Sequence, residues 1–494
     1  MISHILEEAR NFEEIEGTKI TEDERPLFHL TPYIGWMNDP NGFSQYNGYY
    51  HLFYQYYPYV KKWGPMHWGH AISKDLLRWE FLPAALAPDT SPDSGGCFSG
   101  SALPMDNGKH LLMYTGVVKI SDLDEENFIQ TQCLAEGDGV DYYKYVGNPV
   151  IDISGIPDGL SRYDFRDPKM WRENDGTYRC VIGGCTKDKK GRILYFKSDN
   201  AYDWEFVSIL AANDGSLGTM WECPDFFELD GKYVLLTSPQ DVEQDHKYFS
   251  GNITVAMIGS FDPETNEFKI ENRQLVDAGL DFYATQTLLT EDGRRIMTAW
   301  MQNWDSISYT VREIKWLGQM IVPREIFIQD GRLIQKPIRE LDTMRRNPVI
   351  VKDVIVDDYR KIDGINGRVI DMTISIHPES KGHYRKFEIR LAENGEHYTS
   401  VIYRPYNRTL EFDRSNSGTR RATAHERKYT VEDNNGEFKV RIIMDRYSCE
   451  IFANDGELTM SHVIYTSQEA DGISFLVYDG TATFDVEKYD LSFD

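Results

Sequence analysis

Five times, at intervals of about sixty residues, an Asn-Gly or Asp-Gly pair is followed by a hydrophobic strand, the pairs beginning at Asn47, Asn107, Asp175, Asp230 and Asp292. Such pairs supply the positive φ that both central residues of a type I′ turn require, so each is read as joining two antiparallel strands. The strands after the turns are residues 49–54, 109–114, 177–182, 232–236 and 294–300, all rich in apolar and aromatic side chains. A second motif echoes at the same scale, SKDLLRWEFL from Ser73 and SDNAYDWEFV from Ser198. Self-similarity at a long period, with several strands per unit, means a radial array of sheets. Five units predict a five-bladed β-propeller.

Eight residues before the first four pairs stand Asp39, Ser99, Asp167 and Glu222; the same step from the fifth reaches Ala284, beside Tyr283 and close to Asp281. Three carboxylates at one repeated address predict a single pocket at the propeller axis. Like charges gathered there repel, a cost a fold rarely bears without use.

At 494 residues the chain exceeds the size at which one core keeps growing, and its character changes near residue 340. Beyond a final hairpin within PREIFIQDGRLIQ, segments such as RVIDMTISI, KFEIRLA, FKVRIIMD and CEIFAND alternate with period two, as strands of a half-buried sandwich do. The expected organisation is all-β: an acidic helical extension over 1–25, a five-bladed β-propeller over 26–340 and a C-terminal β-sandwich over 348–494. In the extension, Ile2, Ile5, Leu6, Ala9 and Phe12 fall at helical spacing. The sandwich is read as a brace for the propeller or as the interface of a homodimer.

A formal charge of −26 argues against nucleic acid and anionic membranes as partners. No run is long enough to span a bilayer, the N-terminus lacks the marks of a secretion signal, and the six cysteines show no disulfide or zinc spacing. A cytoplasmic location is expected. His67 and His70 have HxxH spacing without the Glu of a zincin helix, and neither an acidic calcium loop nor a Gly-rich nucleotide loop is present. No metal and no cofactor are expected.

Clustered carboxylates without a metal suit glycosyl transfer to water: a protonated acid serves the leaving oxygen while a second carboxylate attacks the anomeric carbon. Glu222, between Trp221 and Cys223, has the apolar flank that keeps an acid protonated. Asp39, with Asn38 and Asn41 nearby, fits the nucleophile. Asp167 is left to accept bonds from ring hydroxyls. Ser99 is read as a pocket hydroxyl, because no histidine pairs with it in a recognisable pattern.

These residues sit in WMNDPNG (36–42), FRDPK (165–169) and WECPD (221–225), which closely resemble the signature blocks of glycoside hydrolase family 32, the β-fructosidases. The likeness extends through Gln55, WGPMHWGHAIS, GCFSGSA, DFYATQT and WMQNW, and into FDRSNSG and DRYSCEIFANDGE of the second half. The resemblance implies a five-bladed propeller plus sandwich, Asp39 as nucleophile, Glu222 as acid/base and Asp167 as transition-state stabiliser. It implies Asn38, Gln55, Trp63, Phe98, Ser99, Arg166, Tyr283 and Trp304 as the fructose-site lining. The expected substrate is a small carbohydrate, sucrose or a short fructo-oligosaccharide. Sucrose phosphate, inulin and levan stay open as alternatives, as does an inactive fructan-binding protein. Lys61 and Lys62, beside Trp63, are the candidate cations for a phosphate.

Overall fold

The computed structural model describes residues 2–121, 124–309, 313–377, 384–418, 424–432 and 437–493. All five Gly-containing pairs turn antiparallel hairpins, but not in one way. Asn47-Gly48 and Asp230-Gly231 have both residues at positive φ, as a two-residue type I′ turn demands. The other three turns are one residue longer, closed by Met105 N–H to Lys109 O, Glu173 N–H to Thr177 O and Thr290 N–H to Arg294 O. In these only Gly108, Gly176 and Gly293 are left-handed. The type I′ expectation therefore holds for two turns of the five, and a longer turn ending on a left-handed glycine serves the rest.

Each hairpin supplies the two inner strands of a four-stranded antiparallel sheet. The inner strands are Gly35–Tyr46, Gly96–Pro104, Leu160–Arg172, Trp221–Leu229 and Tyr283–Leu289. Arg324–Gln329 and Arg332–Pro337 complete the fifth sheet. The ring closes where Trp316–Leu317, from within the fifth unit, pairs in parallel with Gly35 and Trp36 of the first. The five sheets are the blades of a β-propeller. The echoed motif is one turn used twice: Ser73 and Ser198 hydroxyls each accept two following backbone N–H groups, with Leu76 and Ala201 left-handed.

The remaining strands form a β-sandwich of two six-stranded antiparallel sheets, the first strand being Arg345–Val356. Its core takes the alternate residues expected from the period-two pattern, among them Met372, Ile374, Phe387, Ile389, Val440, Ile442, Phe475 and Phe484. Each such side chain contributes roughly 1.5–3 kcal/mol by leaving water. All six cysteines are buried free thiols. Among the described residues no helix is long and apolar enough to cross a membrane.

The N-terminal helix, His4–Glu16, is capped by Ser3, whose hydroxyl accepts the Leu6 N–H. Its buried stripe is Leu6, Ala9 and Glu13; Ile2 and Ile5 are exposed, contrary to the face expected from spacing. The stripe is set by what the blade offers. Glu13 accepts the Ala84 N–H, and Arg10 donates to Ala84 O and Asp141.

Propeller and sandwich meet across buried charge. Arg324 of the fifth blade donates to Asp277 and Gln335 on its own side and to Glu450, Thr459 and Ser461 of the sandwich. His29 bridges Asp445 and Glu450 at 2.9 and 3.0 Å. Arg414 of the sandwich donates to Asp281, whose other oxygen accepts the Ser306 hydroxyl. Asp281, adjacent to the fifth address, thus faces the sandwich. Gly456 packs so closely on Gln335 O that a Cβ would come within 1.9 Å of it.

Burial alone would push the His29 imidazolium down, but its bonds and attraction to Asp445 and Glu450 raise it to about 9 from 6.5. A raised histidine stabilises the fold fully below the unfolded value and loses that contribution as pH rises through the folded one. Asp445 and Glu450 are depressed, against their burial, so their share is lost as pH falls. The thermal midpoint is expected to decline between pH 7 and 10, and His29→Gln should flatten this alkaline decline in a melting series. An unchanged decline would refute the bridge.

Candidate active site

Every inner strand carries a bulge at the same place: the register with its neighbour slips between Met37 and Pro40, Phe98 and Gly100, Arg166 and Lys169, Glu222 and Asp225, and Tyr283 and Gln286. A regular strand sends consecutive side chains to opposite faces; a bulge lets two neighbours point the same way. Each blade therefore offers a pair to the axis: Asn38 and Asp39, Phe98 and Ser99, Arg166 and Asp167, Glu222 and Cys223, Tyr283 and Ala284. The second members Asp167, Cys223 and Ala284 are all left-handed, with φ of 66°, 49° and 55°.

Glu222 consequently does not share the address of Asp39 and Asp167. It is the first member of its pair, equivalent to Arg166 and Tyr283, and Cys223 holds the position of Asp167. The constant step of eight arose because the fourth blade's turn is one residue shorter than the third's, which cancels the difference. The three carboxylates nonetheless face one pocket of about 520 Å³.

Asp39 is held from three sides. Ser99 Oγ donates to Oδ2 at 2.7 Å, Asn38 Nδ2 donates to Oδ1 at 3.1 Å, and the Cys223 thiol lies 3.5 Å from Oδ2. Burial, then the charge of Glu222, push its carboxyl above the usual range. Asp167 accepts the Cys223 N–H at 2.9 Å, and the same thiol is 3.6 Å away, so these Asp39 and Asp167 oxygens lie within about 7 Å of each other. Burial raises Asp167 too, Arg166 opposes the shift, and Glu222 and Asp39 add to it. Cys223 both packs and orients: burial and the carboxylates push its thiol up, keeping it a donor between two anions.

The setting of Glu222 differs from the apolar flank expected. Trp221 is fully buried in the core between the third and fourth blades, its indole N–H bonded to Leu217 O. In its place Arg166 donates to Glu222 Oε1 at 3.0 and 2.8 Å through Nε and Nη2, and the Tyr283 hydroxyl donates to Oε2 at 2.6 Å.

Of the other residues expected, Asn38, Gln55, Trp63, Phe98, Ser99, Arg166 and Trp304 line the pocket, and Tyr283 reaches it through Glu222. Gln55 is anchored on Cys97 O. Trp63, 38% exposed, meets Phe98 edge-on, while Trp304 stacks on Trp36, whose indole N–H orients Asn38. Lys62 lines the pocket; Lys61 lines a separate small cavity. Sequence reasoning missed Phe128, Gln130, Tyr163, Asp164, Gln240 and Tyr309, which come from a third strand, from the start of an inner strand and from loops, all outside the repeated address. Only for Asp164, two residues from Arg166, did a local signal exist.

Among the described residues no trio of potential metal ligands within mutual reach lies at the axis, where Arg166 bonds Glu222. His67 and His70, at an odd offset on one strand, do not converge: one bonds Pro65 O, the other stacks on Phe53 and meets His51. Among the described residues the one trio of potential ligands within mutual reach is Asp353, His377 and Asp485, none of which lines the pocket.

A five-bladed propeller with three carboxylates at its mouth, joined to a sandwich, defines a glycoside hydrolase architecture. Residues 29–337 match the N-terminal domain of glycosyl hydrolases family 32, and residues 340–491 match its C-terminal domain. The chain belongs to that family, and it is an enzyme of the glycoside hydrolase class. It is 35% identical to raffinose invertase of Escherichia coli, over 92% of this chain and 93% of that protein. It is 34% identical to a sucrose-6-phosphate hydrolase of Zymomonas mobilis, over 98% and 95%. Among solved structures it resembles a β-fructofuranosidase of Bombyx mori, as a mutant in complex with sucrose, with a TM-score of 0.84, 33% identity and 99% of both chains covered.

Proposed function

We propose that the protein is a retaining β-fructofuranosidase that releases terminal fructose from sucrose or short fructo-oligosaccharides. The observation that carries this reading is that Asp39, held by neutral donors, faces one pocket together with Glu222 and Asp167. Asp39 attacks C2 of the fructosyl unit as the bond from C2 to the leaving oxygen breaks. Glu222 gives that oxygen its proton, then takes one from the water that attacks the fructosyl-enzyme, returning fructose with retained configuration. Asp167 accepts bonds from ring hydroxyls, and these tighten as the ring flattens toward the oxocarbenium ion. Trp63, Phe98 and Trp304 supply apolar faces for the sugar. The carboxylates of Asp39 and Asp167 must be ionised for these roles, so activity falls on the acid side as their raised pKa values are crossed.

Initial fructose release should be compared on sucrose, sucrose 6-phosphate, kestose, inulin and levan, with product configuration followed by NMR. Retained configuration, with sucrose or kestose preferred, supports the reading; inversion, or no release, overturns it. The sucrose-6-phosphate hydrolase reading is favoured by Lys62 at the pocket edge, a cation placed to meet a phosphate. Under that reading Lys62→Gln raises KM for the phosphate ester and leaves sucrose unaffected. Small substrates of this kind fit a cytoplasmic enzyme. An inactive binding protein fits poorly with three carboxylates retained in one pocket.

A further inference from the structure

The inner strands that present the carboxylates at one mouth of the propeller also frame a second cavity at the other. It measures about 1000 Å³ and is lined by the turn-proximal ends of all five inner strands. One wall is aromatic: Phe226 lies 6.2 Å from Trp171, 5.3 Å from Tyr233 and 5.3 Å from Phe261 between ring centroids. Trp171, Tyr233 and Phe261 are only half-buried, so ring surface faces the cavity. Apolar ring surface held open in a concavity is characteristic of ligand sites.

The floor is polar and under-satisfied. Arg295 lies over the Phe227 ring, makes one long bond to Thr287 Oγ1 at 3.4 Å, and has a buried Nε with no partner. A guanidinium carries five N–H donors, so most of this one's capacity is unused. Beside it Lys169 is neutralised by Asp225 at 3.3 Å and also donates to Thr287 O. Donors and an acceptor therefore lie together beneath an aromatic wall, the combination that grips vicinal hydroxyls and the flat face of a sugar ring. Free anions are disfavoured, because Glu173, Asp175, Glu228, Asp230 and Glu291 line the same cavity.

We propose that this rear cavity is a second carbohydrate-binding site, taking a short neutral oligosaccharide through the Trp171–Phe226–Tyr233 wall and the Arg295 guanidinium. It is separate from the catalytic pocket: the two share no lining residue. It would hold an oligosaccharide chain near the enzyme without hydrolysing it, since it lacks the carboxylate pair of the front mouth.

The test is calorimetric titration of the full chain carrying Asp39→Asn, so that hydrolysis does not intrude, with 1-kestose. Two sites per chain are expected. Adding Trp171→Ala should remove one, and adding Tyr233→Ser, the gentler rim change, should weaken the same site at least tenfold while leaving the other untouched. Failure of the fructosidase reading would instead remove the front site and spare the Trp171-sensitive one. Two sites that ignore both substitutions, or a single site that does so, would overturn the proposal. It would equally fall if inorganic phosphate filled the rear cavity and kestose did not.

Discussion

Asp39→Asn is expected to lower turnover of every fructoside by about 10⁴-fold or more, because no covalent intermediate can form without an ionised oxygen at that position. Glu222→Gln should cost roughly 10²–10⁴-fold on sucrose, the usual worth of a positioned acid/base. The two separate on a fructoside with an activated phenolate leaving group, which needs no proton to depart. Glu222→Gln should recover much of its first step there, visible as a burst of phenolate, whereas Asp39→Asn should not. Comparable bursts from both variants would reverse or void the assignment. The fold should survive both changes. At Asp39 it should even gain, because burial and Glu222 disfavour the charged form in the native state. For an acid whose folded pKa is raised, ionisation at neutral pH opposes folding, so a neutral amide of the same shape should hold or raise the thermal midpoint. A clear drop would mean that the contacts from Ser99, Asn38 and Cys223 stabilise the carboxylate more than burial penalises it.

The second large effect lies far from the pocket. Arg324→Met leaves Asp277 and Glu450 buried without their shared cation, while the Thr459 and Ser461 hydroxyls lose one partner each and keep Val276 O and Asp277. Breaking a buried pair from one side costs about 3–5 kcal/mol, chiefly because the remaining charge cannot return to water. A sharp fall in thermal midpoint, or loss of soluble protein, is expected. Adding Glu450→Gln should restore part of it, since one of the abandoned charges is then removed; His29 loses a partner, which limits the recovery. A double variant no better than the single one would show that Arg324 acts through packing on Phe282 and Phe452 rather than through charge.

Local chemistry made the blade count readable. Asn-Gly or Asp-Gly directly ahead of a hydrophobic strand marks the left-handed backbone of a tight turn, so five hairpins could be counted without knowing how the sheets pack. Period-two alternation likewise exposed the sandwich strands, because one face of each must be apolar to enter the core. The three candidate carboxylates were legible because WMNDPNG, FRDPK and WECPD each place an acid at a matching distance ahead of a hairpin turn. What could not be read was orientation. The turn lengths, and hence the true equivalence of Glu222 with Arg166 and Tyr283, depend on hydrogen bonds across the hairpins. The flank of Glu222 changed from Trp221 to Arg166 and Tyr283 because the bulge decides which neighbour faces the axis.

The helix's buried stripe was likewise chosen by Ala84 and Asp141 of the blades it packs on. By itself, then, the sequence determined the repeat, the strand pattern and the three acids, since each is encoded within a dozen consecutive residues. Only the tertiary structure decided which side chains share a pocket, that Asp281 and Arg324 serve the domain interface, and that a second cavity opens behind the first. Those outcomes rest on contacts between residues far apart in the chain, which no local pattern records.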